Sequence, residues 1–435
     1  MLMPPKSFLM TTVGVESGQL APIFAIAQRL VSRGHRVRML LSSTPAGPPP
    51  QSIIARAEAA GCETSTVQLS RDRTISLPPV RQALFGWTPE KIGMPVPVLH
   101  RLYSITPQVA ARVADELKTS PADAVVADNF YPGALVASEA ASVPAVSLIH
   151  TTYYSIRPGL IAHGAGHRPL RGPLDRFRNT VQLAVHRRLA TRNALPGLNA
   201  ARARMGLAPV RSLAEQEDRL ARVLVLSSPA FDFHPPPLPP NVRIVGWPIA
   251  ASKPAEPWAS PWPADDARPL VLLSPSTTTQ AQEQVPFFNR ALAAMAHIDA
   301  RGLLTAGPSA DAATFDAPAN VTVEPYVPHP AVMPRAAAIV SHCGHGTVMT
   351  ALSYGVPVLC VPYGRDQYDV AARVVWAGAG IEISKDAGTE NIRAAIKRML
   401  STPRFKESAV RLAASMSTED GADNAANEIE AVIDA

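Results

Sequence analysis

The chain has 435 residues, 47% of them apolar and 17% charged, with a formal net charge of +6. That composition excludes a wholly disordered chain and allows two or three domains, each with its own core. Three cysteines without a Cys-x-x-Cys pair exclude a disulfide framework and a zinc site, and no apolar run reaches membrane-spanning length.

In chain order, residues 7–15 read as a strand. Residues 22–33 read as a helix with Ile23, Ile26, Ala27 and Leu30 on one face and Gly34 as its stop. Residues 37–41 are a second strand, 53–60 a helix, 124–127 a third strand, 133–141 a helix and 145–149 a further strand. This alternation predicts βαβ units and a parallel sheet covered on both faces. Residues 223–226 give the last strand before a proline-dense stretch, 234–269, in which no regular helix can persist. It reads as a linker holding one short strand, 242–245. The pattern then restarts with strands at 270–273, 301–305, 321–324, 338–341 and 358–361 and helices at 283–296 and 346–354. An amphipathic helix, 423–433, ends the chain.

The expected architecture is therefore α/β with two doubly wound, Rossmann-like domains facing each other across a cleft. The first covers residues 1–233, the linker 234–269 and the second domain 270–422. The tail, 423–435, is a helix able to pack back on the first domain. Pro4, Pro5 and Glu16 break up a signal-peptide pattern, so a cytoplasmic protein is expected.

Charge is uneven. Residues 1–245 carry 27 Lys and Arg against 15 Asp and Glu, whereas the remainder carries 14 against 20. Between Arg157 and Arg211 eleven arginines face one acid, Asp175. A solvated helix accounts for this; a peripheral contact with an anionic membrane is the alternative. No aromatic interleaving accompanies the arginines, so nucleic acid is not an expected partner.

The most informative segment is Ser341-His342-Cys343-Gly344-His345-Gly346-Thr347, which follows a strand and opens a helix. Glycines there let backbone N–H groups approach an anion at a helix N-terminus, and His342 and Thr347 add side-chain donors. Further on, a buried strand delivers Asp366 and Gln367 at its carboxyl edge, where they can bond sugar hydroxyls. With Tyr326-Val327-Pro328-His329 and Gly355-Val356-Pro357, these segments resemble, in order and spacing, the donor-binding signature of UDP-glycosyltransferase-type enzymes of GT-B fold. That family includes the bacterial macrolide and antibiotic glycosyltransferases.

The resemblance implies roles for these residues. Tyr326, Val327 and His329 would flank the nucleobase. His342, Gly344, Gly346 and Thr347 would hold the diphosphate, with Ser274 and Thr277 closing over it. Asp366 and Gln367 would hold the hexose. Neither a metal nor a cofactor is expected, because the helix terminus itself stabilises the leaving diphosphate.

In the family the first loop carries a histidine that takes the acceptor's proton. Here Gln19 stands at that position, and an amide has no useful basicity. The family's partner carboxylate matches Asp128. Four readings stay open. Asp128 could be the base, directly or through water. The acceptor could need little help. Another group, Glu16 or His150, could serve as base. Or the chain could bind sugar nucleotides without catalysing transfer. Gln19 itself could simply cap the first helix.

Phe85, Trp87, Tyr103, Phe130, Tyr131, Tyr153 and Tyr154, with His150, fall after first-domain strands and suit a flat, apolar acceptor. The expected function is inverting transfer of a hexose from UDP-glucose or a dTDP-sugar to a lipophilic small molecule such as a polyketide or phenol. A non-catalytic sugar-nucleotide-binding auxiliary protein is the alternative. A monomer or homodimer is expected.

Overall fold

A computed structural model of the chain describes residues 4–14, 18–43, 47–69, 96–169, 172–233, 237–249, 258–276, 281–307 and 310–433. The first half builds β1 (Ser7–Val13), α1 (Leu20–Ser32), β2 (Arg36–Ser42), α2 (Gln51–Ala59), β3 (Glu63–Val67), α3 (Val96–Thr119), β4 (Ala124–Asp128), α4 (Pro132–Ala140) and β5 (Ala145–Ile149). Three helices follow, α5 (Pro173–Asn193), α6 (Leu195–Arg204) and α7 (Leu213–Asp218), then β6 (Arg222–Val225) and β7 (Val242–Ile244). These seven strands form one parallel sheet in the order β3-β2-β1-β4-β5-β6-β7.

The second half builds β8 (Leu270–Ser274), α8 (Ala281–Met295), β9 (Arg301–Thr305), β10 (Val321–Glu324), α9 (His329–Val332), β11 (Ala336–Ser341), α10 (His345–Ser353), β12 (Val358–Cys360), α11 (Gln367–Trp376) and β13 (Gly380–Glu382). Helices α12 (Thr389–Ser401), α13 (Pro403–Met416) and α14 (Gly421–Ala431) complete the chain. Its six strands run parallel in the order β10-β9-β8-β11-β12-β13.

Sequence determines which strands were easy to find. β4, β5 and β8 are buried along their whole length, because helices cover both faces of a parallel sheet. They therefore read as unbroken apolar runs. β3 is an edge strand with sequence Glu-Thr-Ser-Thr-Val and no buried residue, so it carries no such signal.

One boundary is corrected. The strand expected inside the linker is β7, which pairs with β6 and ends the first sheet. Proline density on both sides hid its membership. The terminal helix α14 packs on α1, with Ala425, Ala426 and Ile429 fully buried in the first-domain core. Arg33 bridges to Asp423 and Glu430, and His35 Nε2 lies 2.8 Å from Glu430 Oε1. The second half thus returns to fasten itself to the first.

Candidate active site

Strand order reverses between β1 and β4 in the first sheet and between β8 and β11 in the second. Such reversals open a crevice beyond the carboxyl ends of the strands, where ligands of these folds bind.

In the second domain, His342, Cys343 and Gly344 make the whole turn from β11 to α10, with Cys343 at φ 65°. A Cβ placed on Gly344 would sit 2.5 Å from His342 Nε2, so the ring lies over the turn only because residue 344 is glycine. His342 is buried, and its Nδ1 has no hydrogen-bond partner among the described residues. Burial lowers its pKa to about 4. At neutral pH it is an uncharged ring with spare hydrogen-bonding capacity. Gly344 occupies the N-cap of α10 and offers no side-chain cap, which leaves the helix's first N–H groups and its positive dipole end for an anion.

The neighbouring residues shape the rest of the crevice. Ser274 closes β8, and its Oγ lies 3.3 Å from His329 Nε2; Thr305 Oγ1 lies 3.4 Å from the same nitrogen. Burial lowers the His329 pKa to about 4, so this cluster is neutral. Tyr326 is 69% exposed and presents a free ring, whereas Val327 is packed in the second-domain core. Thr347 is half-buried on the first turn of α10. Asp366 occupies the N-cap of α11 without capping it. Gln367 is buried, and its Oε1 accepts a 2.7 Å bond from Tyr363 N, so it fixes the loop that presents Asp366. Thr277 lies outside the described residues.

In the first domain, Asp128 is fully buried at the end of β4. Its Oδ2 accepts from Thr12 Oγ1 of β1 at 3.2 Å and its Oδ1 from Phe130 N at 2.8 Å. His150 Nε2 lies 2.8 Å from the same Oδ1. Gln19 is half-buried at the N-cap of α1, and its side chain makes no capping bond, contrary to the reading of it as a helix cap.

The aromatic residues divide. Phe130 is half-buried beside His150, with ring centroids 6.1 Å apart. Tyr131 is packed in the first-domain core, and the Tyr153 hydroxyl donates to Glu217 Oε1 at 2.8 Å. Those two side chains are held by the domain's own framework. Tyr154 stacks on His163 and accepts from Asn129 Nδ2. Phe85, Trp87 and Glu16 lie outside the described residues.

The two crevices face each other. A Cβ on Gly346 would lie 3.3 Å from Gly18 O, so the first-domain loop closes against the N-terminus of α10. Beside this contact, His345 Nε2 meets Ser227 Oγ at 3.1 Å, edge-on to the Trp247 ring. The chain after β5 also reaches α11. His163 Nδ1 lies 2.8 Å from Asp369 Oδ2, and Gly164 N and Gly166 N donate to the same carboxylate at 2.5 and 3.0 Å. Arg373 pairs with Asp232 at 2.6 Å.

Sequence reading missed this clasp. Its members are 206 residues apart in the case of His163 and Asp369, and only the run His163-Gly-Ala-Gly hinted at a special turn. Among the described residues, no group of three or more His, Cys, Asp or Glu side chains could hold a metal ion. No helix among them is long and apolar enough to cross a membrane.

Comparison with known proteins adds to this geometry. Residues 289–432 match the family described as erythromycin biosynthesis protein CIII-like, C-terminal domain. The chain is 29% identical to 4'-demethylrebeccamycin synthase of Lentzea aerocolonigenes, over 99% of this chain and 100% of that one. It is also 29% identical to TDP-daunosamine transferase DnrS of Streptomyces peucetius, over 41% of this chain and 44% of that one. Among solved structures, the glycotransferase of kitacinnamycin superposes with a TM-score of 0.73 at 21% identity, covering 99% of this chain and 100% of that one. Glycosyltransferase VinC in complex with dTDP superposes at 0.64 with 21% identity, over 98% and 99%. The chain therefore has the GT-B fold, and residues 289–432 are similar to the C-terminal domain of erythromycin biosynthesis protein CIII-like proteins.

Proposed function

We propose that the protein is an inverting glycosyltransferase that moves a hexose from a nucleoside diphosphate sugar to a lipophilic small molecule. The observation that carries this is the uncapped N-terminus of α10, roofed by His342 and facing the first-domain loop at Gly18. A diphosphate seated there gains N–H donors and a favourable dipole as its leaving-group charge develops. The acceptor attacks the anomeric carbon from the first-domain side, the bond to the diphosphate oxygen breaks, and configuration inverts.

Asp366 faces the sugar hydroxyls in this reading, which favours a hexose with intact 3- and 4-hydroxyls. UDP-glucose and dTDP-sugars are the donors to compare, since relatives are named for both kinds. No metal is required. The rim of α5 is the part of the first domain suited to an anionic lipid surface, from which a lipophilic acceptor could be drawn.

The test is product mass spectrometry with both donors against aromatic and polyketide acceptors, with and without EDTA. Glycosylated product that survives chelation supports the reading. Donor binding without transfer to any acceptor would replace it with that of a sugar-nucleotide-binding auxiliary protein.

A further inference from the structure

We infer that the base of this protein is a dyad built from two adjacent strands, His150 backed by Asp128, in place of a loop-borne histidine. The inference rests on the transferase reading above and says which atoms move the proton.

Register brings the pair together. β4 and β5 run parallel, with Asp128 opposite Leu148. Side chains alternate along a strand, so residue 150 returns to the face shared by Leu148 and Asp128. Placed just past the strand end, its ring reaches the carboxylate, with Nε2 2.8 Å from Oδ1.

Asp128 is poorly placed to be the base itself. It is wholly buried, and Thr12, Phe130 and His150 already occupy its oxygens. Gln19 cannot take a proton. His150 can. Its ring is buried at the end of the sheet, and Nε2 stands 2.8 Å from Asp128 Oδ1, out of line for a hydrogen bond. Nδ1 has no partner among the described residues, so the ring must turn and be reached as substrate binds. In the absence of substrate, catalytic hydrogen bonds are commonly misaligned and tighten on binding.

The ring also has neighbours from both halves of the chain. The Phe130 ring is on one side, and His345 of α10 is near enough to feel its charge. With Nε2–H directed at Asp128, Nδ1 is the basic nitrogen. As the acceptor oxygen or nitrogen bonds to the anomeric carbon, its proton passes to Nδ1. The diphosphate leaves with the bonding pair, and Asp128 stabilises the imidazolium, which then releases the proton to solvent.

The experiment compares wild type, His150→Gln, Asp128→Asn and Gln19→Ala on an alcohol acceptor, with donor affinity measured by calorimetry. His150→Gln should lower kcat by about 10²–10⁴-fold, the usual worth of a general base, while donor Kd stays within about twofold. Gln19→Ala should cost at least about tenfold less in kcat than His150→Gln. Asp128→Asn should lower kcat by a similar factor, with donor Kd again within about twofold. The double variant of these two should be no slower than the worse single one, because the two side chains act as a unit. Asp128→Asn keeps the side chain's shape and reads the dyad even if His150→Gln does not fold.

Full activity in His150→Gln, or losses in the two single variants that simply multiply in the double one, overturns the dyad and leaves the transferase reading standing. Wild type that binds donor but transfers to nothing overturns both.

Discussion

The two switch points of this molecule serve the same fold in different ways. At β8/β11 the proposed anion cradle lies within six consecutive residues, from His342 to Thr347, and would bind mainly through backbone N–H groups. At β1/β4 the proposed proton-accepting group is assembled from Thr12, Asp128, Phe130 and His150, which belong to three different strands and the loops after them. A leaving diphosphate is the same in every turnover, so a fixed local cradle suits it. A proton acceptor only has to reach one bond, and several positions around a sheet end can place one there. A glutamine at residue 19 is thus compatible with the proposed site.

The sharpest way to break the comparison is to remove a side chain from each end. His342→Ala takes away a preorganised donor to the leaving group and should cost about 10²–10³-fold in kcat. Gly344→Ala should act through the same ring: its Cβ would fall 2.5 Å from His342 Nε2, so the ring must move off the turn. We expect about a tenfold loss of donor affinity from Gly344→Ala, with little change in melting temperature. Calorimetry with UDP and dTDP checks this, and unchanged affinity in both variants would mean that α10 does not hold the diphosphate.

The same contrast explains what was legible in the sequence. The cradle could be read because its residues are contiguous and their spacing is set by the turn. The buried strands could be read because two covered faces demand continuous apolar runs. Sequence reading named Asp128 and His150 only as separate candidate bases, because their pairing depends on the register of β4 against β5. Tyr131 read as a cleft residue, although its ring belongs to the core; residue type does not say which way a side chain turns. The seam between the halves had little local signal beyond the glycines at 164 and 166, since Asp369 meets partners more than 200 residues earlier.

That seam supplies a second, smaller test. The neighbouring Asp369 raises the His163 pKa against the opposing effect of burial. Asp369 is correspondingly held below its usual range, the influence of His163, Arg373 and Gly164 N exceeding that of burial. A raised histidine pKa stabilises the closed arrangement fully below about pH 6.5, and the benefit fades as pH rises through the folded value. A depressed carboxylate pKa adds stability above about pH 3.9, lost only as pH falls through its own lower value. The clasp is therefore strongest between about pH 4 and 6.5 and loosens on the alkaline side. Donor KM of the wild type should rise with pH across that alkaline side. His163→Gln should raise KM by about tenfold at pH 6, or about 1.4 kcal/mol, and flatten the dependence. A wild-type KM that ignores pH would show that the clasp does not govern closure.

The smallest effect expected on turnover concerns the exposed face of α5. Leu174, Phe177 and Val181 recur at helical spacing and stand 61%, 66% and 37% exposed. Arg176, Arg178, Arg187 and Arg188 are exposed on the same helix. Apolar side chains that enter the headgroup boundary, flanked by arginines worth about 1 kcal/mol each near an anionic surface, make a weak and salt-sensitive anchor. Leu174→Ser with Phe177→Ser should leave transfer to a water-soluble acceptor within about threefold while abolishing cosedimentation with phosphatidylserine vesicles at low salt. Wild type that fails to cosediment under those conditions would return α5 to an ordinary solvated helix. The difference between the two switch points would then account for the site without help from a membrane.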